Sequence, residues 1–202
     1  HGFQNGFHRI DVRRSKESQL LGLALRVSDL GDGIPFALEH GFDLLVLDAT
    51  TCFAEPWVEL EGSPDISVVR DAIQILRDMN REEDIDLLYF GGIRSGTDAA
   101  KLIGLGCKAV VLGVAMGFAL GGKIEGNSLV FQSDYTSKDR EQCAADFLRA
   151  LTGEASIMAR CTGKTNIHNL EPEDLRSITN ATARATGIPL AGTNWIPEEG
   201  SV

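Results

Sequence analysis

Phe90-Gly91-Gly92-Ile93-Arg94-Ser95-Gly96-Thr97-Asp98 is the stretch that decides how this chain is read. It follows the apolar run Leu87-Leu88-Tyr89-Phe90 and opens a helical pattern, Thr97 to Leu105, with Ala99, Ala100, Leu102 and Ile103 inside it. A strand that turns sharply into a helix through glycines is a βα unit. Glycines let the backbone turn tightly and let its N–H groups come close to a ligand. A helix start adds free N–H groups and partial positive charge, which suits phosphate. Arg94 adds a planar fork of donors. A plainer reading needs no ligand: Gly-Gly serves the turn, and Ser95 with Asp98 forms an S-x-x-D capping box. Asp98 also brings negative charge close to the proposed anion.

The next unit resolves part of this ambiguity. Gly106 closes the helix, and Ala109 to Leu112 is a further strand that ends at Gly113-Val114-Ala115, a second small-residue turn. Two neighbouring glycine-containing strand ends offer donors from two directions. In (β/α)8 barrels, phosphate commonly binds at the loops after the last two strands.

Upstream the same alternation continues. Leu20 to Val27 reads as a strand, Asp29 to His40 as a helix ending at Gly41, and Leu44-Leu45-Val46-Leu47 as a strand. Continuous apolar runs of this length fit parallel strands buried on both faces. Pro64 to Asn80 is a helix, with Val68, Val69, Ala72, Ile73, Leu76 and Met79 at helical spacing. Downstream, Gly121 to Lys138 reads as a long polar loop and Lys138 to Ala159 as a helix. A last helix is expected to start near Pro172, followed by a tail from Gly187. Four strand–helix units predict parallel pairing with right-handed crossovers. They fit half of an eight-unit barrel or a small doubly wound sheet. The expected division is a polar segment over 1–18, the half (β/α)8 unit over 19–160 and a helical C-terminal extension over 161–202.

Composition narrows the class. The chain has 202 residues, with 43% hydrophobic and 24% charged, an ordinary globular balance that excludes wholesale disorder. A full barrel takes about 250 residues, so the chain is short for one. It begins with His1 rather than Met, as expected of a fragment, a processed product or a trimmed chain. The net charge of -10 disfavours nucleic acid and anionic membranes as partners. The longest apolar run, 109–120, falls short of the roughly 20 residues that span a bilayer. Cys52, Cys107, Cys143 and Cys161 are scattered, without a zinc or disulfide pattern. Free thiols in a cytoplasmic protein are expected, with no metal site.

The glycine-rich core carries a family resemblance. Gly91-Gly92-Ile93-Arg94-Ser95-Gly96-Thr97-Asp98-Ala99-Ala100-Lys101, Leu105-Gly106-Cys107-Lys108-Ala109-Val110 and Leu112-Gly113-Val114-Ala115 look like the flavin end of the glutamate synthase FMN-binding domain family. Phe147-Leu148-Arg149-Ala150-Leu151 and the stretch from His168 to Arg176 resemble its C-terminal segment. The resemblance implies the C-terminal half of a (β/α)8 TIM barrel of the FMN-linked oxidoreductase type. It also implies glutamate formation by reductive amination of 2-oxoglutarate, with FMN as cofactor. It assigns Gly91, Gly92, Ile93, Arg94, Gly113, Val114 and Ala115 to cofactor binding, the phosphate meeting Gly92, Arg94 and the Gly113 turn.

Three departures stand out. Where the family has a lysine at an earlier strand end, this chain offers Arg26. Arg26 and Asp48, both at strand ends, are the candidate catalytic residues. The stretch from Ala49 to Trp57 lacks the family's substrate-loop glycines. The cysteine cluster beyond the last strand is missing, so no iron–sulfur cluster is expected. Two alternatives remain at this level. One is a phosphate-binding barrel of the IMP-dehydrogenase type, for which Cys52 is the nucleophile candidate. The other is a non-enzymatic flavin-binding or regulatory subunit. His40 is expected to close a helix, His168 to cap or face solvent, and Trp57 and Trp195 to pack. Partners are expected to be a small 2-oxo or amino acid, and either a second copy or the other half of the barrel, because four parallel strands leave two open edges.

Overall fold

A computed structural model describes residues 14, 16, 18–50, 59, 63–126, 128–131 and 133–196. His1, His8, Cys52, Trp57 and most of the 1–18 segment lie outside the described residues.

Four parallel strands, β1 (Gly22–Leu25), β2 (Leu44–Asp48), β3 (Asp86–Phe90) and β4 (Ala109–Val111), pair in chain order β1-β2-β3-β4. Leu25 pairs with Leu47, Asp48 with Phe90, and Phe90 with Val111. The connecting helices are α1 (Leu30–Glu39), α2 (Ser67–Asp78) and α3 (Gly96–Gly104). Strand order is what separates the two topologies left open by the alternation. A doubly wound sheet reverses its order at a switch point. Here the order never reverses, so successive right-handed crossovers put every helix on one face. The sheet is a sector of a (β/α) barrel.

The two faces of the sheet are unequal. Leu25, Leu45, Leu47, Leu87 and Tyr89 alternate onto the helix side and are buried with Ile34, Ala37, Val68, Ala72, Leu76 and Leu102. Leu44, Val46, Leu88 and Phe90 point the other way and are only half-buried. The continuous apolar runs suggested burial on both faces; among the described residues the helix side is fully buried and the other side only in part. That second face is the one that would line the interior of a complete barrel.

Beyond β4 the structure corrects the sequence reading. Val114 does not merely end a turn: it starts the short helix α4 (Val114–Ala119). The expected loop over Gly121 to Lys138 contains an antiparallel hairpin, β5 (Gly122–Glu125) with β6 (Ser128–Phe131). These strands are four residues each, GKIE and SLVF, too short for a clear alternation. Helix α5 (Ser137–Cys161) is set by a capping box, Thr136 with Asp139. It lies along α3, where a side chain at Gly96 would overlap the Leu151 carbonyl at 2.1 Å. The expected last helix at Pro172 is only one 3-10 turn, Pro172–Asp174. The true helix, α6 (Asn180–Thr186), begins after the Thr179 cap and packs on α2. Trp195 does not pack as expected and is 49% exposed. His40 ends α1, its Nδ1 2.9 Å from the Phe36 carbonyl oxygen and its ring stacked on Phe36. His168 is exposed in a 3-10 turn, its backbone N–H bonded to the Asn166 side chain. No helix of the described residues is long and apolar enough to cross a membrane.

Candidate functional site

The C-terminal ends of β3 and β4 are neighbours, and the turns that leave them face each other across a cavity of about 360 Å³. Gly92, Ile93 and Arg94 line it from one turn, Val114 and Ala115 from the other. Glu59, Ser63, Pro64 and Phe118 complete it. Five of the residues singled out in the sequence thus share one cavity. Gly91 lines a second cavity, about 330 Å³, on the other side of the β3 turn towards α3 and the C-terminal segment; Arg94 borders both.

Local geometry explains why this turn needs two glycines. Gly91 and Gly92 have φ of 142° and 67°, conformations that side chains oppose. Their reward is an inward-facing amide. The Gly92 N–H donates to Glu59 Oε1 at 3.1 Å, and the Val114 N–H donates to Glu59 Oε2. Two strand ends therefore grip one carboxylate. Gly113 lies against it: a Cβ at this position would stand 2.0 Å from Glu59 Oε2. The cup is made of backbone donors and closed by a missing side chain. The carboxylate in it occupies the position of a general oxyanion.

The start of α3, by contrast, has no free donors to offer. Ser95 Oγ accepts from the Asp98 N–H at 3.2 Å, so the Ser95 half of the expected capping box forms; the reciprocal bond does not, because the Asp98 carboxylate takes the Arg94 N–H. Glu154, from α5, accepts from the Gly96 N–H at 2.9 Å and from the Thr97 hydroxyl. The Thr97 bond, then the Gly96 amide, hold the Glu154 carboxyl below its usual range. Asp98 Oδ2 accepts from the Arg94 N–H at 3.2 Å, which turns its charge onto the backbone of the turn. The anion cup is thus built from the β3 turn and the first residue of α4, and α3 serves as its anchor. Among the described residues no hydrogen bond or ion pair engages the Arg94 guanidinium, which lies exposed at the cavity.

The candidate catalytic residues sit at the same end of the sheet but outside this cavity. Asp48 is buried at the end of β2, and its Oδ1 accepts from the Thr50 N–H at 2.9 Å and hydroxyl at 2.6 Å, a local turn cap. Arg26 follows β1 and lies 3.7 Å from Asp29 in an ion pair. With strands about 4.8 Å apart, β1 stands roughly 10 Å from β3. Neither residue lines either cavity. Cys107 is buried, and burial pushes its thiol up to about 12. That leaves it protonated and unreactive at neutral pH.

Sequence reasoning missed Glu59 and Glu154. Both act at long range on backbone amides, and acidic residues in an acidic chain carry no signal of that. The one available clue was the double glycine, whose exposed amides demand some acceptor.

No family model matches the sequence. A glutamate synthase large subunit-like protein of Rhizobium meliloti (strain 1021) is 33% identical, over 82% of this chain and 45% of that protein. Over that span the chain is glutamate synthase-like. An L-lactate dehydrogenase (cytochrome) of Wickerhamomyces anomalus is 30% identical over 84% of the chain and 26% of the relative. A solved flavocytochrome b2 double mutant with pyruvate bound matches 88% of the chain and 42% of its own, at 25% identity and a TM-score of 0.56. The chain spans under half the length of each of these relatives. It is a glutamate synthase-like portion of an FMN-linked oxidoreductase barrel.

Proposed function

We propose that the chain binds FMN by its phosphate and forms the cofactor-holding half of a glutamate synthase-like oxidoreductase. One observation carries this reading: the Gly92 and Val114 amides, from adjacent strand ends, converge on a single anionic group. A phosphate offers the same acceptor oxygens as the Glu59 carboxylate, with more charge.

The residues present fit the group. Gly113 leaves the space, Arg94 borders it with a guanidinium that no other described residue engages, and Ile93, Ala115 and Phe118 supply an apolar wall. FMN, when bound, would supply the electron chemistry. The chain's own part would be to fix the phosphate through two amides and Arg94 and to keep water from the apolar wall. The half-buried face of Val46, Leu88 and Phe90 supports closure by a further half-barrel or by a second copy. The scattered cysteines support a cytoplasmic setting.

The reaction in this reading is reductive amination of 2-oxoglutarate to glutamate. It rests on the likeness to the glutamate synthase large subunit-like protein. A second reading, a flavin-binding subunit without catalysis, is favoured by Arg26 and Asp48 being bonded to their own neighbours, away from the cavity. Anaerobically reduced protein with bound FMN separates the two. Reoxidation of the flavin on adding 2-oxoglutarate with ammonia or glutamine supports the enzyme. Persistent reduction with every 2-oxo acid tried supports the subunit.

A further inference from the structure

We propose that the Glu59 carboxylate is a built-in competitor for the flavin phosphate, so that the cofactor must evict it to bind. The inference rests on the FMN reading above. Glu59 reaches across both turns and uses both amides that the phosphate needs, one per carboxylate oxygen. Each amide has a single hydrogen and serves one acceptor well, so the two occupants exclude each other. Gly113 confirms how tight the cup is: the carboxylate already fills the space that a methyl group would take.

The arrangement solves a problem for the cofactor-free protein. Gly92 and Val114 would otherwise hold partly buried donors without acceptors, which costs stability. Glu59 satisfies them, and on eviction its carboxylate finds water. The outcome is a cofactor site that is never open. Apparent affinity falls by the fraction of time the cup is free. The device also selects for phosphate: riboflavin, with no phosphate, does not compete for the amides.

The test is titration of the protein with FMN and with riboflavin, read by quenching of flavin fluorescence, in wild type, Glu59→Gln, Glu59→Asp and Glu59→Ala. The expected result is an FMN dissociation constant lower by roughly ten- to hundredfold in Glu59→Ala, the range of one charged hydrogen bond. Glu59→Asp should gain too, because it keeps the charge but is too short to span both amides. Riboflavin affinity should stay unchanged. FMN affinity that is equal or weaker in all three variants overturns the proposal. So does a gain in Gln and Ala alone, which would mark a long-range charge effect. FMN binding in none of the four proteins would instead overturn the flavin reading on which this one stands.

Discussion

The ends of β3 and β4 and the ends of β1 and β2 lie on one rim of the same sheet, yet they are built in different ways. At β3 and β4 the chemistry comes from the backbone: two amides, a missing side chain at Gly113, and a helix anchored by Glu154. At β1 and β2 it comes from side chains, Arg26 and Asp48, each bonded to a residue two or three positions along. A backbone site is fixed once the turns are fixed. A side-chain site must be turned towards its substrate by neighbours, and here the neighbours turn those side chains inward on themselves. On the proposed reading, the donors for the cofactor are fixed by the backbone, whereas Arg26 and Asp48 are turned to their own neighbours.

The contrast breaks most decisively at Gly113. Gly113→Ala places a methyl group in the cup. In the free protein it pushes aside the end of Glu59 and takes that acceptor from the Gly92 and Val114 amides, so the melting temperature should fall modestly. FMN affinity should fall about a hundredfold or more, as crowding and a lost amide contact combine. Isothermal titration beside a thermal melt separates the two effects. Arg94→Ala removes a charged donor and should weaken FMN by about 1.5–3 kcal/mol, here with an unchanged melt. Unaltered affinity would assign Arg94 to the solvent.

The anchor gives a smaller effect with a pH signature. Glu154→Gln should lower the melting temperature, since the acceptor for Gly96 and Thr97 is weakened. Glu154 has a folded-state pKa below its ordinary value of 4.5, so its contribution is full above that value and is lost as pH falls through the folded one. Asp43, held low by the Leu21 amide and then Arg14, and Asp139, held low by Thr136, act in the same sense from an ordinary value of 3.8. Wild type should therefore lose stability in acid below about pH 4. Glu154→Gln should show a shallower loss, followed by circular dichroism melts across pH. The smallest effect is expected at the other end of the rim. Arg26→Ala and Asp48→Asn should change FMN affinity by no more than about twofold, being outside the cavity and too far for a strong screened interaction. A larger loss would mean that the two ends form one site.

Much of this was legible in the residues. The four strands and three connecting helices follow from apolar runs, helical spacing and glycine stops. The Ser95 cap follows from the S-x-x-D spacing. The choice between barrel and doubly wound sheet was not legible, because alternation alone does not state strand order. The hairpin at Gly122 escaped because two four-residue strands are too short for an alternation to register. Helix α6 was displaced in the reading by Pro172, whose start signal yields only one turn before Leu175 becomes extended. Glu59 was beyond reach for a different reason. Its role is set by distance in space from two amides, and sequence separation of 33 and 55 residues gives no hint of that.

The central claim is that the Gly92 and Val114 amides form a flavin phosphate site, and an absorbance titration of the purified protein with FMN tests it most directly. The account predicts a single saturable site with a perturbed flavin spectrum, abolished in Gly113→Ala and weakened in Arg94→Ala. A spectrum identical to free FMN at every concentration, or equal binding by Gly113→Ala, would contradict it.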